Sequence, residues 1–253
     1  MKSFKEVLRL FESSEFNDYD STLFSDYYEL NKATYDNKAG ALKYTAASEY
    51  HDDTGEKWRY VKKHDFNTIA LAVIDGMCDS NRLNPNLYKN IKTKADLDKI
   101  TMDVPVARRL INNVYTYLSR YTKGRTKVYR GFNILAKDFD SWPMSEKLSN
   151  ALIKRFSNTG KQFNSYSLDR EVAWRFAIGN ALGERRPKED SYAILIEGEA
   201  DPTDISFAYT AYLVGKHGHL NESELNINCF KELANQSVII KKVKYTDDRY
   251  IIS

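Results

Sequence analysis

The sequence predicts an α+β protein in which a helical lobe over residues 1–124 packs directly on a mostly antiparallel sheet formed by residues 125–253. Three observations carry this prediction. Before residue 125 the apolar residues recur at helical spacing. After it they come in short runs broken by turn residues, the texture of strands. No flexible linker separates the two textures, and 253 residues, 42% of them hydrophobic, suffice for a substantial core.

In the first half, Phe4, Val7, Leu8 and Phe11 fall at i, i+3, i+4 and i+7, on one helix face. Ser21 can cap a helix carrying Leu23, Phe24, Tyr27, Tyr28 and Leu30. The segment 36–64 is less periodic, with a turn expected at Asp52-Asp53-Thr54-Gly55. Ile69, Ala72, Val73 and Gly76 repeat the helical spacing, as do Val106, Leu110, Val114, Tyr117 and Leu118. Asn84-Pro85 and Asp103-Val104-Pro105 read as helix starts or turns.

In the second half, Lys127-Val128-Tyr129-Arg130-Gly131-Phe132 reads as a short strand. Ser145 can cap a helix with Leu148, Leu152 and Phe156 on one side. Residues 162–167 form a second short strand, followed by a helix from about residue 169 to 182. Tyr192-Ala193-Ile194-Leu195-Ile196 is a compact apolar run before Asp201-Pro202, a buried strand. Residues 222–227, 237–245 and 250–252 give the remaining strands.

Composition excludes several classes. Five Pro and eleven Gly are too few for a disordered or collagen-like chain. No apolar run reaches the length of a membrane span, so no membrane partner is expected. The polar opening Met1-Lys2-Ser3-Phe4-Lys5-Glu6-Val7 does not read as a secretory signal. With Cys78 and Cys229 as the two cysteines, a disulfide framework is excluded and a reducing, cytoplasmic setting is expected. A net charge of +3 neither requires nor excludes a nucleic-acid partner. Eighteen tyrosines supply rings that can pack in the core or stack on flat ligands.

The phosphate loop, the dinucleotide-binding glycine pattern, the zinc-protease helix and the nucleophile elbow are all missing from the sequence. His217 and His219 lie two apart in a Gly-rich stretch, but a metal needs further ligands and only Glu222 and Glu224 are near, so no metal is expected. Lys123, Arg125, Lys127 and Arg130, interleaved with Tyr121 and Tyr129, read as a solvated face or as a nucleic-acid patch.

Three strand ends carry unusual residues. In Val128-Tyr129-Arg130-Gly131-Phe132 an arginine sits inside an apolar strand. Its guanidinium there either meets a fixed anion, whose geometry its fork matches, or reaches solvent at the sheet edge. In Phe163-Asn164-Ser165-Tyr166-Ser167-Leu168-Asp169, Ser165 and Ser167 point to one face and Tyr166 to the other. Their hydroxyls can orient a carboxylate or ligand, while Ser167 or Asp169 can cap the next helix. In Glu222-Ser223-Glu224-Leu225-Asn226-Ile227, a strand starting at Glu222 puts two carboxylates on one face, about 7 Å apart. Paired carboxylates in one cleft suit cleavage of a glycosidic bond, where positive charge develops on a sugar ring.

Taken in order, Arg130, Phe163-Asn164-Ser165-Tyr166-Ser167 and Glu222-Ser223-Glu224 resemble the Arg–Ser–Glu signature of the mono-ADP-ribosyltransferases. That branch includes actin-modifying binary toxins, arginine-specific ectoenzymes and transferases of T-even-like bacteriophages. The helix sequence Glu171-Val172-Ala173-Trp174-Arg175-Phe176-Ala177 is also similar to the family's, with a buried Phe and Ala. The resemblance covers residues 125–253; Tyr166 replaces the family's usual Thr, a departure expected on the face away from the site.

The resemblance implies a core of two small sheets forming a cleft for NAD, with NAD a substrate and nicotinamide released. It implies that Arg130 pairs with the NAD phosphates, that Gly131 lets the backbone approach the ligand, and that Ser167 lies in the same NAD site. Ser165 would hold the catalytic glutamate, Glu224, and Glu222 would orient or deprotonate the acceptor. The stretch Gly183-Glu184-Arg185-Arg186-Pro187 would cover the phosphates, with Arg185 or Arg186 a candidate contact. Leu213 to Leu220 would form the substrate-recognition loop, where His217 and His219 replace the family's aromatic residue. A glutamate at position 222 implies a protein arginine as acceptor. Two other readings remain: a nucleic-acid acceptor, drawn from the basic stretch 123–130, and a catalytically inactive binding module of the same fold. The branch also makes a toxin or phage effector the expected setting.

Overall fold

The computed structural model describes residues 64–88, 91, 93–157, 163–179, 188–218, 220–228, 232–246 and 249–252. The expected helices around residues 4–11 and 21–30 lie outside these residues, as do Arg185, Arg186 and His219. The described residues form an α+β structure with eight α-helices and one six-stranded antiparallel sheet.

Helix α1 (Phe66–Asp79) is apolar almost all round and is the central helix, with residues 68–78 buried. Asp65 caps it by accepting from the Thr68 N–H at 2.9 Å. After the short α2 (Pro85–Tyr88), α3 (Lys94–Asp103) starts on a capping box in which Thr93 and Asp96 satisfy each other's backbone N–H groups. Helix α4 (Pro105–Ser119) begins with Pro105 in its first turn, as the sequence predicts. Its buried face is Ala107, Ile111, Val114 and Leu118, so the stripe is rotated from the expected one and Val106 is exposed.

Strand β1 (Thr126–Leu135) follows, then α5 (Ala136–Ser141), a 3-10 turn (Met144–Lys147) and α6 (Ser149–Ser157). Ser145 falls inside the 3-10 turn rather than capping a helix, and Leu148 is exposed, whereas Leu152 is buried. Strand β2 (Phe163–Ser167) leads into α7 (Arg170–Ala177), whose N-cap Asp169 accepts from the Glu171 N–H at 2.8 Å. Then come β3 (Ser191–Ala200), α8 (Phe207–His217), β4 (Glu224–Asn228), β5 (Ala234–Thr246) and β6 (Arg249–Ile252).

Helix α8 was not expected. Its sequence, Phe-Ala-Tyr-Thr-Ala-Tyr-Leu-Val-Gly, is apolar all round and buried from Phe207 to Gly215, so it shows little amphipathic period. It packs directly against α1. A Cβ on Gly76 would lie 2.1 Å from the Tyr212 carbonyl oxygen, and one on Gly215 would lie 2.3 Å from that of Val73. Glycine at both positions therefore lets the two backbones touch.

The strands run in the order β4-β2-β1-β3-β5-β6, every pair antiparallel. The described strands thus form one sheet where two small sheets were expected. Its joints are unequal. β1 and β3 pair over ten residues, from Thr126 opposite Ala200 to Leu135 opposite Ser191. β1 and β2 register at a single pair, Tyr129 opposite Ser167. One face of the β1–β3–β5 part packs Phe139 and Leu152 against Phe132, Ile194 and Ile240, and Ala177 of α7 joins Ala193 and Val243.

A single apolar cluster runs through α1, α3, α4 and α8 into Val128, Phe163, Tyr166, Leu225 and Ile227 of the sheet. The helical layer therefore shares its core with the β4-β2 end of the sheet, across the turn at residues 120–125 where the two textures meet.

Candidate functional site

The weak β1–β2 joint is where a cavity of about 300 Å³ opens. It is lined by residues from all three singled-out stretches: Arg130 and Gly131, Ser165 and Ser167, and Glu222 and Glu224. Tyr129, Phe132, Tyr166, Ala173 and Phe176 complete the wall. One expectation about the wall is corrected: Phe176 is 40% exposed, and the buried residues of α7 are Ala173 and Ala177. Tyr166 lies opposite Leu225, on the strand face away from the serines, and still borders the cavity.

The β2–β4 ladder sets the first part of the geometry. Ser165 lies opposite Asn226 and Ser167 opposite Glu224, so these four residues share one face. The Ser165 hydroxyl donates to Asn226 Oδ1 at 3.1 Å, and Asn226 Nδ2 donates to Glu224 Oε1 at 3.4 Å. The expected Ser165–Glu224 contact is thus made through an intermediary. Asn226 is fully buried, and its signal in the sequence was its place two residues after Glu224, on the same strand face.

Ser167 fixes the approach to Glu224. Its hydroxyl donates to the Glu222 carbonyl at 2.8 Å and accepts from the Asp169 N–H at 3.1 Å, while the Leu168 N–H donates to the Ser223 carbonyl at 2.8 Å. The strand begins at Glu224, not Glu222. Glu222 sits in the preceding turn, and Ser223 has a φ of 49°, in the left-handed region. The two glutamates are therefore not strand-face neighbours, yet the turn still brings both to the cavity.

Arg130 reaches the cavity from the other side of the ribbon. With Tyr129 opposite Ser167, residue 130 falls on the opposite face from the serines. Its guanidinium carbon lies 4.8 Å from the centre of the Phe132 ring and 5.5 Å from that of Tyr166. Rings on this cation hold the fork in place by cation–π attraction. Phe132 is itself stacked on Phe156 at 4.2 Å.

Gly131 has a role that the sequence did not reveal. A Cβ there would lie 1.9 Å from the Ala173 carbonyl oxygen and 2.6 Å from the Ala177 nitrogen. The close approach that Gly131 permits is that of helix α7, which also accepts a 2.9 Å bond from Asn133 Nδ2 at the Ala177 carbonyl. In this way the glycine seats the helix that carries Ala173 and Phe176.

The stretch expected as a recognition loop is mostly helix. Leu213 and Val214 are buried in α8, and His217 is its exposed last residue. The helix ends at Gly218, with φ 74°, whose N–H donates to the Val214 carbonyl at 2.7 Å. The chain between α8 and Glu222 is therefore much shorter than expected. Arg82 clamps this end by donating to the Gly215 carbonyl at 2.9 Å. Beside it, Lys216 pairs with Asp79, which also accepts from the Tyr212 hydroxyl at 2.8 Å.

The helical layer touches the site through Tyr117 on α4. Its hydroxyl donates to the Glu224 carbonyl at 3.3 Å, and its ring meets Tyr121 edge-on at 5.4 Å. Burial, then the nearby Tyr121 and Glu224, push the Tyr117 phenol well above the usual tyrosine range. Its sequence spacing marked Tyr117 only as part of a helical stripe.

Lys123, Arg125 and Lys127 are exposed, whereas Arg130 is half-buried, so the expected basic cluster does not face the cavity as a unit. Among the described residues, no group of three or more His, Cys, Asp or Glu is arranged to hold a metal ion, and no helix is long and apolar enough to cross a membrane. In comparisons with known proteins, the chain matches no family model, no curated protein and no solved structure.

Proposed function

We propose that the protein is an NAD-dependent mono-ADP-ribosyltransferase, which moves ADP-ribose from NAD to a protein arginine and releases nicotinamide. The observation that carries this reading is the convergence of Arg130, Ser165, Glu222 and Glu224, from three distant stretches, on one cavity. At about 300 Å³ the cavity is at the lower end of small-molecule pockets and suits one end of a dinucleotide.

The chemistry follows from these groups. The bond between the ribose C1′ and the nicotinamide nitrogen breaks, and its electron pair leaves with nicotinamide. Glu224, held on a buried strand, stabilises the positive charge that develops on the ribose. The arginine nitrogen then bonds C1′, and its proton passes to Glu222. A carboxylate at that point both attracts a guanidinium and accepts its proton. Arg130, as a bidentate donor, matches the NAD phosphates. NAD is a substrate in this scheme, and no metal takes part.

The test is to incubate the full chain with labelled NAD and a protein lysate, to measure nicotinamide release, and to map the labelled residue by mass spectrometry. Glu224→Gln is expected to lose on the order of 10²–10³-fold in nicotinamide release, the scale of one preorganised electrostatic group. Glu222→Gln is expected to lose transfer and to keep hydrolysis of NAD. Release undiminished in Glu224→Gln would refute the mechanism. Label on nucleic acid would replace arginine as acceptor, and no release by the wild-type chain would favour an inactive binding module.

A further inference from the structure

We infer that Asn226 is the positioning residue for Glu224: its side-chain amide, oriented by Ser165, holds the carboxylate toward the cavity. The inference rests on the reading of Glu224 as the acting carboxylate.

Asn226 is fixed at every polar group. Its N–H donates to Thr210 Oγ1 at 3.0 Å, and its carbonyl accepts from the Ser206 N–H at 2.8 Å, both at the start of α8. Thr210 Oγ1 in turn donates to the Ser206 carbonyl at 2.9 Å. The amide is thus built on a rigid strand and braced by a buried helix, with its side chain wholly out of water.

The orientation of that amide follows from chemistry. An ionised carboxylate only accepts hydrogen bonds, so the NH₂ end of Asn226 faces Glu224. The carbonyl end is then left for the Ser165 hydroxyl, which donates to it at 3.1 Å. Ser165 therefore acts one step removed from Glu224, through the amide. At 3.4 Å the Asn226–Glu224 bond is the longer of the two the amide makes.

Other groups also bear on this carboxylate. Tyr117 of α4 bonds its residue's backbone carbonyl, Ser167 is its cross-strand neighbour, and Glu222, Arg130, Tyr129 and Tyr166 line the same cavity. Against this fixed background, Asn226→Asp is a near-isosteric change. It swaps the donor for an acceptor or a second charge beside Glu224.

The experiment is a ¹³C titration of the glutamate carboxyls in the full chain, with Glu224 assigned through Glu224→Gln. Asn226→Asp is expected to raise the Glu224 midpoint by about one unit or more, the usual effect of a neighbouring like charge. Ser165→Ala is expected to move it the same way by less. With NAD, kcat for nicotinamide release falls on the order of tenfold and the acid limb of its pH profile moves up in step, while KM stays within about twofold. Because an added charge beside Glu224 raises its midpoint in any case, the uncharged Ser165→Ala is the discriminating variant: with a merely structural asparagine it would change the melting temperature and leave the midpoint where it was. An unmoved midpoint in Ser165→Ala overturns the inference, as does one in folded Asn226→Asp. Because the titration needs no NAD, a wild-type chain that releases no nicotinamide overturns the transferase reading while the midpoint still decides the role of Asn226.

Discussion

Replacing Gly131 by alanine separates two accounts of the same residue. If the glycine exists to let a ligand approach the backbone, alanine should weaken binding and leave the fold intact. The geometry points elsewhere. The new Cβ would lie 1.9 Å from the Ala173 carbonyl oxygen, about 1.5 Å short of ordinary contact, and 2.6 Å from the Ala177 nitrogen. Both are backbone atoms of α7, so no side chain can swing away and the helix itself must retreat. Overpacking of this kind costs about 1–3 kcal/mol, and two rigid contacts put the cost at the upper end, about 3 kcal/mol. For a chain of this size, with roughly 2–4 °C per kcal/mol, the melting temperature should drop by roughly 6–12 °C. Gly124, where a Cβ meets nothing within 4 Å, is the control, and Gly124→Ala should change stability by less than about 1 kcal/mol. The assay is thermal unfolding followed by circular dichroism, alongside nicotinamide release. A Gly131→Ala protein that melts like the wild type but releases no nicotinamide would refute the helix-seating argument and restore the ligand role.

Tyr117→Phe should cost about 0.5–1.5 kcal/mol by losing the bond to the Glu224 carbonyl, read by urea unfolding near neutral pH. The same variant should flatten the alkaline loss of stability. Above about pH 10 the unfolded chain gives up this phenolic proton while the folded chain keeps it, so stability contributed by Tyr117 is present below that pH and declines above it. An equal alkaline slope in both proteins would contradict the burial of the phenol. Lys216→Met should destabilise by about 3–5 kcal/mol, because Asp79 and Lys216 are paired with side chains only 7% and 11% exposed. Asp79→Asn combined with Lys216→Met should recover much of that loss in chemical denaturation, and no recovery would deny the coupling.

Most of the strands after residue 125 were legible because they hold an apolar or β-branched run, as Ala193-Ile194-Leu195-Ile196 in β3 and Val238-Ile239-Ile240 in β5. β2, β3, β5 and β6 fall close to where the sequence puts them. α8 was hidden for a physical reason: a helix buried on all sides has no polar face, so period 3.6 vanishes from its sequence. The start of β4 was misread because Ser223 takes a left-handed φ, which alternation of residue types does not reveal. In α4, the apolar residues could form either of two adjacent stripes, and packing against α1 selected Ala107 and Ile111 over Val106.

The sequence by itself determined the α+β class, the change of texture near residue 125, and the identities of Arg130, Ser165, Glu222 and Glu224 as residues of interest. Those follow from local chemistry, since period, turn residues and unusual polar groups in apolar strands are all read within a few positions. Only the tertiary structure decided how these groups meet. It joined the strands into one sheet with a single-pair joint at Tyr129 and Ser167, opened the cavity there, and put Asn226 between Ser165 and Glu224. It also gave Gly131 to α7 and brought Tyr117 of the helical layer onto Glu224. Each of these is a contact between residues distant in the chain, fixed by register and packing, and no local pattern encodes it.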